Sequence, residues 1–309
     1  MPAYEVRRSI TIDATPETVF DTVADYGTWT KWSPWLGIDK QATVIVTDNP
    51  NSVNSIYGWA GEVVGQGEIE HKQLQRPNKI DDEIRFTKPF KSKSAVSFEL
   101  QPDGNGTKIT WGMNGSLPWF LFWMASNIET YIGMDYERGL KMLKEYIETG
   151  EVLSDIEVVG IEPVDSRRIA GVRDSCPTND VGPTMNAAFT KVKNVLAGQS
   201  PPDGFEMISV YHPCDLKQRR FEFTSGYAVS ADCQTPPDLT EFRLPEGRAL
   251  HIRHSGRYEN LGNAWSGAHQ YARYKKIKLA KRAAFEAYRN DPDNTPEAEL
   301  VTDIYLYVK

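Results

Sequence analysis

Cysteine is scarce: Cys176, Cys214 and Cys233 are the three in 309 residues. Their number is odd and none has CxxC spacing, which excludes a disulfide framework and a zinc knot and leaves free thiols. Positive charge is also short, with 35 Lys and Arg against 42 Asp and Glu, a formal net charge of −7. Nucleic-acid binding needs a basic face to displace phosphate counterions. With no helix-turn-helix pattern either, direct DNA contact is not expected. Long apolar runs are missing too, the longest, Leu117 to Ala125, being about half of the roughly 20 residues that a spanning helix needs. The opening MPAYEVRRSITIDA has no apolar core behind a charged start, so it does not read as a secretory leader. A soluble, cytoplasmic chain without stable membrane insertion is expected. No Ser-His-Asp, Cys-His or metal-ligand grouping is present. His251 and His254 are an odd number of positions apart, which sends them to opposite faces of a strand. Neither a cofactor nor a metal is expected.

What is present divides in two, as the length allows. Residues 4 to 12 alternate Tyr4, Val6, Ile10 and Ile12 against polar neighbours, the pattern of a half-buried strand, with Arg8 breaking the apolar face. Thr15-Pro16-Glu17 supplies an N-cap, a proline at the first helical position and an early acid, and Val19, Phe20 and Val23 form the inner stripe of a short helix. Trp29, Trp32 and Trp35 cluster where the chain turns. From residue 42 the chain reads as short strands between tight turns, the clearest hairpin running from Ser94 through Asp103-Gly104-Asn105-Gly106 to Trp111. Ile128, Ile132, Tyr136, Leu140, Leu143 and Ile147 then mark one face of a long helix.

That succession over residues 1–148 resembles the START-like (SRPBCC, polyketide cyclase) superfamily. The resemblance implies a helix-grip fold, in which the sheet wraps the terminal helix and leaves a hydrophobic cavity for an apolar guest. The aromatic residues here are read as core or cavity lining, and the run from Leu117 to Met124 as core, a cavity cap or a contact surface. Polar residues 149–155, with Gly150, are expected to link the two domains.

The second half turns on Ala284 to Tyr288, where alternation sets Glu286 beside Ala284 and Tyr288 on one face and Phe285 and Ala287 on the other. Asn290 to Asn294 is dense turn chemistry, and Val301 to Val308 reads as the last strand. Leu244-Pro245-Glu246-Gly247, the stretch His254 to Leu261, and Phe285 to Pro292 followed by Thr302 to Tyr305 resemble the GyrI-like small-molecule-binding family, also found as effector domains of AraC-type regulators. The match covers residues 156–309. It implies a tandem pair of βαββ units, and an offset of 80 residues sets Arg168, Arg173, Ser175, Gly182, Phe205 and Glu206 against Arg248, Arg253, Ser255, Gly262, Phe285 and Glu286. The expected fold class is α+β throughout.

Glu286 carries two readings. It is either a structural carboxylate paired with Arg248 or Arg253, or a fixed acid at the base of an aromatic cleft. On the second, Tyr258, Trp265, Tyr288, Tyr305 and Tyr307 are candidate walls for a small hydrophobic or cationic ligand, and Glu206 is a second pocket acid if the repeat symmetry extends to it. Asp303 is read as solvent-facing or paired. The functional expectation is a sensor or sequestering protein for apolar or cationic aromatic molecules, alone or with a regulatory protein partner. The alternative is a hydrolase of strained electrophiles, with Glu286 activating water and Tyr288 or Tyr258 polarising the leaving atom.

Overall fold

The computed structural model describes residues 3–116, 125–197, 206–213 and 218–309. The apolar run Leu117 to Met124, together with Phe205 and Cys214, lies outside the described residues. The fold is α+β, in two compact units, Met1–Val152 and Leu153–Lys309.

The first unit comprises β1 (Ala3–Ile12), α1 (Pro16–Ala24), α2 (Trp29–Trp32), β2 (Thr43–Val46), β3 (Ile56–Ala60), β4 (Gln66–Gln75), β5 (Lys79–Lys88), β6 (Ser92–Asp103), β7 (Gly106–Ser116) and α3 (Ala125–Thr149). All its strands pair antiparallel, in the order β1-β7-β6-β5-β4-β3-β2. Helix α1 starts as its sequence dictates: Thr15 Oγ1 accepts from the Thr18 amide at 3.3 Å, Pro16 has no N–H and so needs no acceptor, and Val19, Phe20 and Val23 are buried. The β6–β7 turn closes at Asp103 opposite Gly106, with Gly104 at φ 61°, a conformation glycine adopts without strain. Arg8 turns toward α3 and pairs with Glu137 there, which explains an arginine on the inner face of β1. Between helix and sheet the rings pack on one another: Trp111 stacks on Tyr136 at 4.0 Å and meets Phe98 and Trp32 edge or tilted.

The second unit comprises β8 (Ser154–Val164), β9 (Arg167–Pro177), α4 (Val181–Leu196), β10 (Met207–Tyr211), β11 (Arg220–Val229), β12 (Thr240–Leu244), β13 (Gly247–Gly256), α5 (Leu261–Tyr274), β14 (Ala284–Tyr288) and β15 (Val301–Tyr307). Its sheet, again antiparallel, runs β12-β9-β11-β10-β14-β15-β13-β8. Read inward from either edge, the order is edge strand, helix-preceding strand, hairpin return, centre. Helix α4 packs on β9 and β11, and α5 on β13, β8 and β15. The two helices therefore flank the central pair, β10 and β14. On the opposite face Ile208, Val210, Phe285, Ala287 and Tyr305 join one buried apolar cluster, against which Phe242 of β12 and Ala280 and Ala283 of the segment before β14 pack. Both faces being covered, β15 is buried along almost its whole length.

The internal offset is not uniform. β13 begins 80 residues after β9, at Gly247 against Arg167, but β14 begins only 77 after β10, at Ala284 against Met207.

Candidate functional site

Ser209 of β10 faces Glu286 of β14 across the central seam, so both side chains rise from the same face, between the two helices. Glu286 is 1% exposed. Its Oε1 accepts from Trp265 Nε1 at 2.6 Å, and its Oε2 from Tyr288 Oη at 2.6 Å and Tyr211 Oη at 3.0 Å. Among the described residues it makes no ion pair, so the pairing with Arg248 or Arg253 that one reading required is absent. Burial pushes its carboxyl upward, against the pull of the Trp265, Tyr288 and Tyr211 donors. Behind this layer Ser209 Oγ and Ser225 Oγ share a hydrogen bond of 2.7 Å, and Phe189 of α4 meets Tyr288 edge-on at 5.5 Å. Tyr258, in the turn leading into α5, lies 5.4 Å edge-on to Tyr288. Its buried hydroxyl has no partner among the described residues, and burial pushes it up to about 12. Trp265 is partly exposed, so it forms the outer side of the cluster.

The chemistry is that of an acceptor held in an aromatic frame. Three neutral donors fix both carboxylate oxygens but supply no compensating positive charge.

Residues 158–309 match the family model of the GyrI-like small molecule binding domain, and residues 3–148 that of polyketide cyclase / dehydrase and lipid transport. The chain is a fusion of these two domain types. No curated protein matches it. Among solved structures, protein CV1439 from Chromobacterium violaceum is similar at 16% identity over 47% of this chain and 98% of its own, with TM-score 0.37. The Aha1 dimer from Colwellia psychrerythraea is similar at 16% identity over 47% and 97%, with TM-score 0.36. The EcmrR C-terminal domain is similar at 17% identity over 51% and 99%, with TM-score 0.40.

Within the GyrI-like domain, three expected site residues stand elsewhere. Tyr305 pairs in register with Phe285, which places it on the face of the sheet opposite Glu286. There it stacks on Phe285 at 4.7 Å and on His251 at 4.5 Å, and its hydroxyl accepts from Arg289 Nη2 at 2.8 Å. Tyr307 shares that face, its hydroxyl donating to the Pro245 carbonyl at 2.7 Å. Glu206 precedes β10 and pairs with Arg167 and Arg289, because the offset shortens before it. The position of β10 that corresponds to Glu286 is Ser209. The residue missed from the sequence is Tyr211, which at the shorter offset corresponds to Tyr288. A repeat search that allows the second half to be three residues shorter before β14 brings it out.

Asp303 is buried on that opposite face as the hub of a polar cluster. It accepts from Arg253 Nε and Nη2 at 2.8 and 3.1 Å and from Arg289 Nε, and His251 Nε2 lies 2.9 Å away. Burial alone would push its carboxyl upward, but these hydrogen bonds hold it well below the ordinary carboxylate range. His254 points the other way from His251, as the odd spacing requires. Burial outweighs the opposing pull of Asp155 and lowers it to about 4.

The polyketide cyclase-type domain has its own buried polar group. His71 and Asp82, on β4 and β5, are both fully buried, with Nδ1 and Oδ1 2.6 Å apart, and His71 Nε2 lies 2.9 Å from the Ala24 carbonyl. Only a donating Nε2 satisfies that carbonyl. Tyr26 stacks on His71 at 3.9 Å, and the hydroxyl of Tyr57 is buried without a hydrogen-bond partner among the described residues. An unpaired buried hydroxyl costs about 1–3 kcal/mol. Tyr57→Phe is therefore expected to stabilise this domain by about 1 kcal/mol in chemical denaturation. A loss of stability would mean that the hydroxyl is satisfied inside the domain.

Proposed function

We propose that this chain binds small molecules through its GyrI-like domain, with Glu286 receiving a cationic or hydrogen-bond-donating aromatic ligand and Trp265, Tyr258 and Tyr288 forming the walls. The observation that carries this is the buried carboxylate held by Trp265, Tyr211 and Tyr288 with no cation paired to it among the described residues. A structural acid is normally buried with its counter-ion, as Asp303 is with Arg253 and Arg289. Aromatic faces attract cations, so the frame and the charge favour the same class of ligand. We read the inward-repeating strand order as tandem βαββ units and the first unit as a helix-grip whose interior takes an apolar guest. On this reading the protein senses or sequesters its ligands, as a stand-alone effector component that can signal to a separate regulatory protein.

Thermal unfolding of the full chain with matched compounds tests the reading. A quaternary ammonium aromatic present at about 100 times its Kd should add about 2.7 kcal/mol of stability by linkage, and its neutral carbon isostere far less. No shift across a broad cationic and hydrophobic panel would remove the proposal.

A hydrolytic reading uses the same atoms, with the 2.6 Å contact of Tyr288 Oη and Glu286 Oε2 as its supporting observation. Burial raises the Glu286 carboxyl above its ordinary range, the direction that suits a group taking a proton from water. Equal turnover of cyclopropane-type electrophiles by wild type and Glu286→Gln would exclude that role.

A further inference from the structure

At the end of the GyrI-like sheet remote from the centre, where β9 starts and β11 and β12 end, lies an open cavity of about 390 Å³. It is lined by Ser166, Arg167, Arg168, Ala228, Val229, Ala231 and Arg243. Three guanidinium groups and no carboxylate contribute to that lining. In a chain with a formal charge of −7 this local balance is unusual.

The neighbouring acids do not cancel it. Glu206 is shared between Arg167 and Arg289, and Glu241 lies 2.7 Å from Arg168 and 3.6 Å from Arg243. The three lining arginines thus meet two glutamates, one of which Arg289, itself paired with Asp303, also shares. Arg168 is committed to the protein: its Nη1 donates to the Ser230 and Ala231 carbonyls and its Nη2 to the Cys233 carbonyl and Glu241. This clamp fixes the loop after β11 and one wall of the cavity. Arg243 is different, its side chain 66% exposed and its contact with Glu241 an ion pair at 3.6 Å rather than a hydrogen bond. Arg167 spends one Nη1 donor on Glu206.

The geometry points to a second ligand site here, for a small metabolite bearing a phosphate or carboxylate group held by Arg243 and Arg167. The planar guanidinium fork matches both oxyanions in bidentate fashion. The cavity is within the size range of small-molecule sites, which begins near 300 Å³. Its ligand class is opposite in charge to the one proposed for Glu286, and its lining shares no residue with that cluster.

Calorimetric titration of the full chain at low ionic strength tests this, with inorganic pyrophosphate as the phosphoryl probe and citrate as the carboxylate probe. Saturable binding of either, with Kd below about 1 mM, is the expected result, and the tighter of the two identifies the group recognised. Arg243→Ala should weaken it about tenfold or more, the loss typical of a charge-assisted hydrogen bond, and Arg243→Lys should restore part of it. Arg173→Ala, which removes an exposed arginine of the same strand β9 that pairs with Glu222 of β11, should leave it unchanged. Glu286→Gln should also leave it unchanged, so failure of one site does not imply failure of the other. Absence of saturable binding by either probe, or equal weakening by Arg173→Ala and Arg243→Ala, overturns the site.

Discussion

Glu286→Gln is expected to reduce affinity for a cationic aromatic ligand by at least roughly 30-fold, the lower end of what truncating one member of a buried charge pair costs. Affinity for the neutral isostere should change by no more than about twofold, because ring stacking does not depend on the charge. The fold should not suffer. Burial raises the folded-state pKa of Glu286 above its unfolded value, so the folded chain favours the protonated form. Its contribution to stability is then greatest below the unfolded value of 4.5 and falls as pH rises through the folded one. At neutral pH an ionised Glu286 is a liability in the empty protein, and glutamine should be as stable or more so in denaturant titration. Cation affinity of the wild type should rise with pH above 4.5 until Glu286 is fully ionised, and the variant should show no such slope. Unchanged cation affinity in the variant would end the assignment of Glu286 as the ligand's counter-charge.

Asp303→Ala is expected to do the reverse, with a large loss of stability and no direct loss of ligand contact. The carboxylate is 1% exposed and holds Arg253 and Arg289 together on the face opposite Glu286. Removing one partner of a buried pair costs about 3–5 kcal/mol because the other charge is left desolvated. Here Arg253 and Arg289 retain side-chain exposures of 40% and 33%, and part of the loss is recovered by hydration. About 3 kcal/mol is the reasonable expectation, or a fall of roughly 6–12 °C in the unfolding temperature of a domain this size. Because the folded pKa of Asp303 is depressed, its stabilising contribution is complete above the unfolded value of 3.8 and is lost as pH falls from there through the lower folded value. The wild type should therefore lose more stability than the variant between neutral pH and acid. A variant within 1 kcal/mol of wild type would mean that the arginines are solvated independently of Asp303.

The contrast between these two acids shows which parts of the site were legible in the chain itself. Alternation in Ala284 to Tyr288 was enough to set Glu286 and Tyr288 on one face, since side-chain direction in a strand is a local property. Helices α1 and α3 and the β6–β7 hairpin were legible for the same reason, through caps, periodicity and a glycine turn. Pairing between distant strands is not local. Nothing in Met207 to Tyr211 announces that it lies beside β14, so Tyr211 could not be assigned to Glu286, 75 residues away. Tyr305 failed in the opposite sense: its aromatic character suited a pocket wall, but its register with Phe285 was not encoded nearby. Asp303 was read as solvent-facing or paired; only coverage of both faces of β15 decides that it is buried and paired.

The seam between β10 and β14 is where the two halves of the sheet face their own counterparts. Ser209 and Glu286 occupy corresponding positions and are also cross-strand neighbours. Had both halves kept an acid there, two carboxylates would sit directly opposite one another in the interior, a mutually repelling pair. A hydroxyl on one side and a carboxylate on the other lets an approximately twofold scaffold present a single charge, so even a ligand with its own twofold symmetry would meet an orienting, one-sided contact.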